Sequence, residues 1–529
     1  MGKFYITTPI YYVNANPHIG HAYTQIAVDA LSRYHKMLGD EVFFLTGTDE
    51  HGEKIEEACL AAGFEKGKEK DFVDTIVPNF KKVWKELDVE YDHFIRTTDK
   101  EHEEQVQRFL QRIYEKGDIY LGEYDGWFCT PCETFWTETQ AEDGICPECK
   151  RPVEHIKEKN YFFKMSEYQD WLVEYINDNP GFIMPKFRKN EVLGFLKEGL
   201  NDLCISRPKE RMAWGVELPF DKNYVLYVWF DALINYISGI TAAGRKFDDV
   251  WPPKFHVIAK DILRHHAVYW PIMLKSAGLE MPEVIFAHGW WKMGEDKMSK
   301  SKGNIVDPLE LKAKYGVDPI RYFLLKAVIF GNDGVFSEDA FVTLYNSDLA
   351  NDLGNLLNRT LTMVEKYFDG TAPEVSLEKA DREQVKRSNA LKEGIPGLFP
   401  KMRSEYVDRP ELEIKEALEH IMLLVGAANK YIEVSAPWEY SKKGDTGSIK
   451  LILADLLEVL RVCAIAFFPF MPTTARRMWA QLGLGDLDKA LGKEEIRKEI
   501  KEPKDGSDWR RFPAGTKVAK EEPLFPRIQ

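Results

Sequence analysis

Along the first fifty positions the apolar residues change period twice. Phe4 to Thr8 is a compact strand-like run, and Pro9 to Pro17 reads as a loop. From Ala22 to Met37 apolar positions recur at helical spacing, with Gly39 as a stop signal. Glu41-Val42-Phe43-Phe44-Leu45-Thr46, ended by Gly47, is a short apolar run of the kind buried on both faces in a parallel sheet. Strand, helix and strand in succession form a βαβ unit, which places His18 to His21 at the start of its helix.

Charged helical patterns continue to about Gly117. From Ile119 the texture changes to short aromatic runs, glycine turns and paired cysteines, so 118–222 reads as an inserted domain. The sheet is expected to resume at Tyr224-Val225-Leu226-Tyr227-Val228-Trp229, with further core strands at His256-Val257-Ile258 and Val284-Ile285-Phe286-Ala287. After Lys302 the pattern is helical nearly to Leu482, with Lys386 to Met402 as a polar stretch inside it. A charged, proline-punctuated tail from Lys489 is expected to wrap the helices. No internal repeat or low-complexity segment interrupts this order.

At 529 residues the chain has room for two to four domains, each with its own core. No run approaches ~18 uninterrupted apolar residues, so no membrane span is expected. Phe4-Tyr5-Ile6 follows the first residues at once, so no signal or transit peptide is expected. The expected compartment is cytoplasmic. A net charge of −14 does not suggest nucleic acid, although global charge does not locate a local basic face.

Of seven cysteines, Cys59, Cys204 and Cys463 are isolated and read as buried thiols. The other four form Cys129-x2-Cys132-x13-Cys146-x2-Cys149, the spacing of a four-thiolate tetrahedral zinc site. A disulfide framework is the rival, disfavoured in a reducing compartment. Four thiolates leave no open coordination position, so the expected Zn²⁺ is structural.

Two short peptides carry the nucleotide chemistry. His18-Ile19-Gly20-His21 puts two imidazoles one helical turn apart at a helix N-terminus, where anions bind. Gly20 removes a side chain where an adenine could approach the backbone. Lys297-Met298-Ser299-Lys300-Ser301 is a cationic segment rich in small and polar residues, suited to a loop that closes over phosphates. Either alone would read as ordinary surface. In this order, with the first straight after an N-terminal apolar run, they resemble the paired signature of class I aminoacyl-tRNA synthetases.

The resemblance covers nearly the whole chain. It implies an α/β fold: a Rossmann-like parallel-sheet catalytic domain in two halves (1–117 and 223–302), with an inserted zinc-binding connective domain (118–222). A helical linker contacting the tRNA stem (303–350) and a C-terminal α-helical anticodon-binding bundle with its tail (351–529) follow. His18, His21, Lys297 and Lys300 would act on the phosphates of ATP and its Mg²⁺, with Gly20 and Asp261 also at the nucleotide. Pro9-Ile10-Tyr11-Tyr12, Thr48-Asp49-Glu50-His51-Gly52, Trp229 to Tyr236 and Asp261-Ile262-x3-His266-x3-Trp270 are similar to the methionine-specific branch. That similarity implies an L-methionine pocket of Tyr12, Trp229, Ala232, Leu233, Tyr236, Ile262, His266 and Trp270. Ile10 and Asp49 would hold the amino acid's backbone end, and Arg207 would assist the transition state. Aromatic walls suit a polarisable thioether. The chain departs from the pattern twice, with Ala259 where Gly is expected and His265 where Phe is expected.

In the helical half, Asn355 and Arg359 lie at i, i+4 on one helix face, and Trp438 follows Ala436-Pro437. The resemblance implies that they read a CAU anticodon, by stacking and by donors to base edges. The expected partner is tRNA(Met), initiator and elongator, bound by a monomer. Another class I synthetase and a catalytically silent tRNA-binding relative remain rivals. A cysteine-specific enzyme would place zinc in its catalytic pocket, and a branched-chain enzyme would need a longer insertion.

Overall fold

The computed structural model describes every residue except 1, 15, 131–133, 137, 139–140, 148–149, 295, 298–305, 394, 396–397 and 502–508. Strand β1, Lys3–Tyr12, lies at the centre of a six-stranded sheet, followed in the chain by helix α1, Ile19–Leu38. Strands β2, Glu41–Asp49, and β3, His93–Arg96, lie on one side of β1. Phe255–Ala259, Val284–His288 and Ile183–Met184 follow in that order on the other side. Every neighbouring pair is parallel.

Alternation along β1 sends Phe4 and Ile6 to the core shared with α1 and the helical half, and Tyr5 to the opposite core. The sheet order reverses between β1 and Phe255–Ala259. A crevice outside the carboxyl ends of strands at such a switch point is where open α/β sheets bind ligands.

Four expectations are corrected. Pro9 to Tyr12 is not loop but the end of β1, and β2 runs through Gly47 to Asp49. Gly47 is a close-approach position rather than a stop, because a Cβ there would lie 2.1 Å from the Ile95 carbonyl oxygen on β3. The Tyr224 to Trp229 run does not rejoin the parallel sheet. Asp221–Leu226 pairs antiparallel with Ser206–Pro208 and Glu217–Leu218, and Val228–Leu233 is a short helix. A short apolar run does not by itself separate a buried strand from a buried helix. The stretch 118–222 is not one separate insertion either, since Ile183–Met184 supplies the edge strand of the parallel sheet. Two residues are too few to show a period.

The rest of that stretch carries a long antiparallel pair, Ile119–Cys129 with Glu154–Phe163, flanked by Thr134–Trp136 and Leu203–Cys204. From Pro308 onward the chain is almost wholly helical to Gln481. Arg321, fully buried, joins this half to the sheet. It donates to Asp29 of α1 at 2.5 Å, to the Leu87 and Asp88 carbonyls, and to the Pro469 and Phe470 carbonyls. The tail packs back on the helices, with Tyr345 donating to the Pro526 carbonyl at 2.9 Å and Lys517 bridging to Thr371.

Candidate active site

At the carboxyl end of β1 the chain turns into α1 through His18, which is its N-cap. The His18 Nδ1 accepts from the Gly20 N–H at 3.0 Å, and the His21 Nδ1 accepts from the His18 N–H at 3.1 Å. This reciprocal cap satisfies two of the donors that a helix start leaves open. It also settles the imidazole tautomers. With both Nδ1 atoms accepting, each ring carries its proton on Nε2, and the ring centroids lie 3.9 Å apart. The result is a pair of N–H donors beside the positive end of a helix. A Cβ on Gly20 would meet the His18 ring at 2.9 Å, so glycine here first serves the fold of its own motif.

The second signature is described only at its edges, because Met298 to Ser301, including Lys300, lie outside the described residues. Lys297 pairs with Lys292 in an antiparallel ladder of Asp296–Lys297 with Trp291–Met293. On the far side, the Val306 carbonyl accepts from the Ile19 N–H at 3.2 Å, next to His18. Val306, just past the lysine-rich segment, is therefore fastened to the start of α1, while Lys297 before it is held in the ladder with Trp291–Met293.

Asp333 and the contacts it makes escaped sequence reasoning. Asp333 accepts from Lys260 at 2.7 Å and 2.8 Å, from the Trp290 N–H at 2.9 Å, and pairs with Lys292 at 2.6 Å. Burial alone would raise its pKa, but the hydrogen bonds from Lys260 and Lys292 hold the carboxyl well below the usual range. Trp290 also donates to Asp261 at 3.1 Å. Asp333 thus fastens the strand preceding the lysine segment to the turn that carries Asp261. In the sequence it stands in a plain Asn-Asp-Gly turn, with nothing to mark a partner seventy positions away. Ala259 has φ −80° and ψ 151°, extended backbone that any residue adopts, so the departure from glycine brings no strain.

The predicted methionine residues converge from five places in the chain. Ile10 and Tyr12 end β1, and Asp49, buried at the end of β2, is the register partner of Tyr12. Trp229, Ala232 and Leu233 share the short helix Val228–Leu233, and Tyr236 opens the next one. Ile262, His266 and Trp270 lie on the segment after Phe255–Ala259, where His265–Tyr269 forms a π-helical turn. Such turns recur at functional sites. The Tyr12 and Trp229 rings meet edge to face at 6.1 Å. His266 Nδ1 lies 2.9 Å from the Ile262 carbonyl and must donate to it, so His266 Nε2 accepts from the Tyr236 hydroxyl at 2.7 Å. Burial pushes the His266 pKa down to about 4, and the ring is neutral. Trp270 joins the same network, donating to His256 Nε2 at 3.2 Å.

A buried carboxylate supports this wall. Asp231, also on the Val228–Leu233 helix, accepts from His51 at 2.7 Å and from His102 at 2.9 Å. Burial favours its neutral form, yet the two imidazoles hold its pKa at about 2. The sequence signal was present, an acid inside an apolar run, but nothing there named its partners. Arg207 is buried with its guanidinium over the Phe128 and Tyr227 rings, at 4.8 Å and 5.2 Å, and donates to the Ser206 carbonyl at 2.7 Å. It therefore links the antiparallel insertion to the segment entering the pocket helix.

Of the four paired cysteines, Cys132 and Cys149 lie outside the described residues. Cys129, opposite Thr134 in register, and Cys146 sit in two separate hairpins, and both are buried in one small core with Trp136, Ala141 and Val153. Cys146 donates its N–H to the Arg151 carbonyl at 2.8 Å and accepts from the Lys150 N–H at 3.0 Å, closing the second turn. Far along the chain, Asn355 is exposed and Arg359 half-buried on the helix Asn355–Phe368. Asn429 ties the neighbouring helix Ile414–Ser435 to the Asp352 carbonyl at 3.1 Å. That helix ends at Ala436 in the left-handed region, φ 42°, and the turn delivers Trp438 to the surface, 41% exposed.

Comparison with known proteins agrees with this geometry. The family model described as tRNA synthetases class I (M) matches residues 4–155 and 151–361, and that of the anticodon binding domain of methionyl tRNA ligase matches 361–529. A methionine–tRNA ligase of Caldanaerobacter subterraneus subsp. tengcongensis is 47% identical over 530 residues, covering 99% of this chain and 79% of the relative. The Thermotoga maritima ligase is 42% identical, covering 99% of this chain and 80% of its own. Among solved structures, Mycobacterium tuberculosis methionyl-tRNA synthetase in complex with methionyl-adenylate superposes with a TM-score of 0.90 at 40% identity, covering 100% of both chains. The apo form of that enzyme gives 0.83 at 37% identity, covering 100% of this chain and 99% of its own.

Proposed function

The chain belongs to the class I methionyl-tRNA synthetases, and from that premise we propose how its own residues divide the reaction. It activates L-methionine with ATP and transfers the methionyl group to the 3′-terminal adenosine of tRNA(Met). In activation a methionine carboxylate oxygen attacks the α-phosphorus. The bond to the bridging oxygen breaks, and pyrophosphate leaves with the electron pair.

Negative charge gathers on phosphate oxygens in that step, so positioned donors do most of the work. The Nε2–H groups of His18 and His21 face the phosphates, Lys297 and Lys300 close over them, and Asp261 takes the ribose beside Gly20. Magnesium bound with ATP adds charge neutralisation at the same oxygens. Asp49 accepts from the substrate ammonium, with the Ile10 backbone beside it. Tyr12, Trp229, Ala232, Leu233, Tyr236, Ile262, His266 and Trp270 wall the side chain, and Arg207 assists charge in the transition state. The observation that carries this assignment is the bond from the Ile19 N–H, beside His18, to the Val306 carbonyl just past the lysine segment. ATP–pyrophosphate exchange across the amino acids tests it. Methionine should drive exchange, and preference for cysteine, valine, isoleucine or leucine would overturn the pocket.

The insertion fits one structural Zn²⁺ held by Cys129, Cys132, Cys146 and Cys149. Two of the four thiols already share a dry core at the tips of two hairpins, and thiolates are the donors zinc prefers. Metal analysis should find one zinc per chain. Cys146→Ser should lose it and lower the melting temperature, because metal binding is folding energy here. Zinc-free protein with all four thiols freely alkylated would defeat the assignment.

Asn355, Arg359 and Trp438 are assigned to the anticodon. Initiator and elongator tRNA(Met) share that anticodon and would be treated alike by these residues. We keep the domain division at the expected bounds, with Ile183–Met184 assigned to the catalytic sheet. A four-thiolate site suits the cytoplasm, and we assign the chain as a monomer. Among the described residues no helix is long and apolar enough to cross a membrane.

A further inference from the structure

Two strands of the parallel sheet, Phe255–Ala259 and Val284–His288, end side by side, with Ala259 opposite His288 in register. The first continues into Lys260 and Asp261, the second into Gly289, Trp290 and the ladder strand Trp291–Met293. A turn from the helical side, Asn332-Asp333-Gly334, is pressed against Gly289. A Cβ on that glycine would lie 2.3 Å from the Asn332 carbonyl oxygen and 2.5 Å from the Asp333 nitrogen, so the close approach admits no side chain. Gly334 and Val335 then pair in parallel with Trp291 and Lys292.

Each oxygen of Asp333 takes two donors. Oδ1 takes Lys260 at 2.7 Å and the Trp290 N–H at 2.9 Å, and Oδ2 takes Lys260 at 2.8 Å and Lys292 at 2.6 Å. A carboxylate offers about four lone-pair sites, so this one has none left for a ligand hydroxyl. Its charge repels phosphate. What it supplies is geometry, and it supplies it in two directions. The Lys260 ammonium also lies 4.1 Å over the Trp290 ring, and the Trp290 indole donates to Asp261 at 3.1 Å, so this arm fixes the turn assigned to the ribose. Lys292 is the register partner of Lys297, so the other arm fixes the strand that enters the lysine segment.

We propose that Asp333 is a positioning residue for the activation step, holding the Asp261 turn and the strand into the lysine segment in one fixed relation while touching neither ATP nor methionine. This rests on the assignment of Asp261 and the lysine segment to ATP. A group displaced by about 1 Å from its productive place can cost about 10²-fold in rate, even when the displaced support lies outside the chemistry. Asp333 therefore acts on the nucleotide and leaves the amino-acid pocket alone.

The test measures kcat and the KM values for ATP and methionine in pyrophosphate exchange, together with melting temperature. Asp333→Asn keeps the shape and the acceptor for the Trp290 N–H but loses the charge that holds both lysines. It should raise KM for ATP about three- to tenfold and lower kcat about ten- to thirtyfold, with KM for methionine within about twofold of wild type. The two arms should separate. Lys260→Met should act mainly on KM for ATP, because a ribose contact is made alike in ground and transition states. Lys292→Met should act mainly on kcat, because the lysine segment faces charge that develops. The sign of the ATP effect is decisive. Removing a negative charge beside a triphosphate would by itself tighten ATP, so a lower KM for ATP in Asp333→Asn overturns the proposal. Equal losses toward ATP and methionine, with a melting temperature lowered by more than about 5 °C, would make Asp333 a scaffold residue and overturn it too. Asp261→Ala separates the two levels. If it raises KM for ATP while Asp333→Asn behaves as wild type, the ribose assignment stands and only the role of Asp333 falls. If it leaves KM for ATP unmoved, the ribose assignment itself fails and the proposal falls with it.

Discussion

Replacing His21 with alanine should lower ATP–pyrophosphate exchange about 10²–10³-fold at saturating substrates, the usual cost of removing one donor aimed at developing charge. Lys300→Ala should behave alike. Methionine binding in the absence of ATP should barely change, because neither group touches the amino acid until phosphate charge moves. His21 also caps α1 by accepting from the His18 N–H, and losing a cap costs about 0.5–2 kcal/mol. The melting temperature should accordingly fall by only a few degrees. Stopped-flow adenylate formation and thermal unfolding on one preparation separate the two effects. Wild-type exchange in either variant would remove that residue from the catalytic set.

Trp438→Ala should divide the two half-reactions. Stacking on an unpaired base is worth roughly 1–3 kcal/mol, so tRNA charging should fall about 5- to 150-fold through weaker tRNA binding. Exchange, which needs no tRNA, should be nearly intact, and so should stability, because the indole is 41% exposed. Removing a buried Trp costs about 3–5 kcal/mol, and it would depress both reactions and the melting temperature together. A parallel loss of all three would show that Trp438 is core, leaving Asn355 and Arg359 to carry anticodon recognition.

What was legible in the chain was local. The His18 to His21 motif sits at a helix start because its own side chains cap that helix, an interaction spanning three residues. The strands β1 and β2 announced themselves because burial on both faces favours apolar runs, broken here only by small buried threonines. Trp438 was legible as an exposed ring because Ala436-Pro437 breaks a long helix immediately before it. Element ends were less legible. Gly47 reads as a stop until the close approach of the Ile95 backbone is seen, and the Val228–Leu233 helix reads as a strand until its tertiary neighbours are seen.

By itself, then, the sequence determined the α/β start, the helical second half, the positions of both signature peptides and the paired thiols. Each of these depends on residue type and short spacing. Only the tertiary structure decided that Asp333 would grip Lys260 and Lys292, that Asp231 would lie between His51 and His102, and that His265 would stack on Trp229. Those pairings join groups from tens to nearly two hundred residues apart along the chain. Their energies arise when the sheet brings strand ends together and water is excluded, so a charge, a tautomer or a missing partner has meaning only once that dry crevice exists.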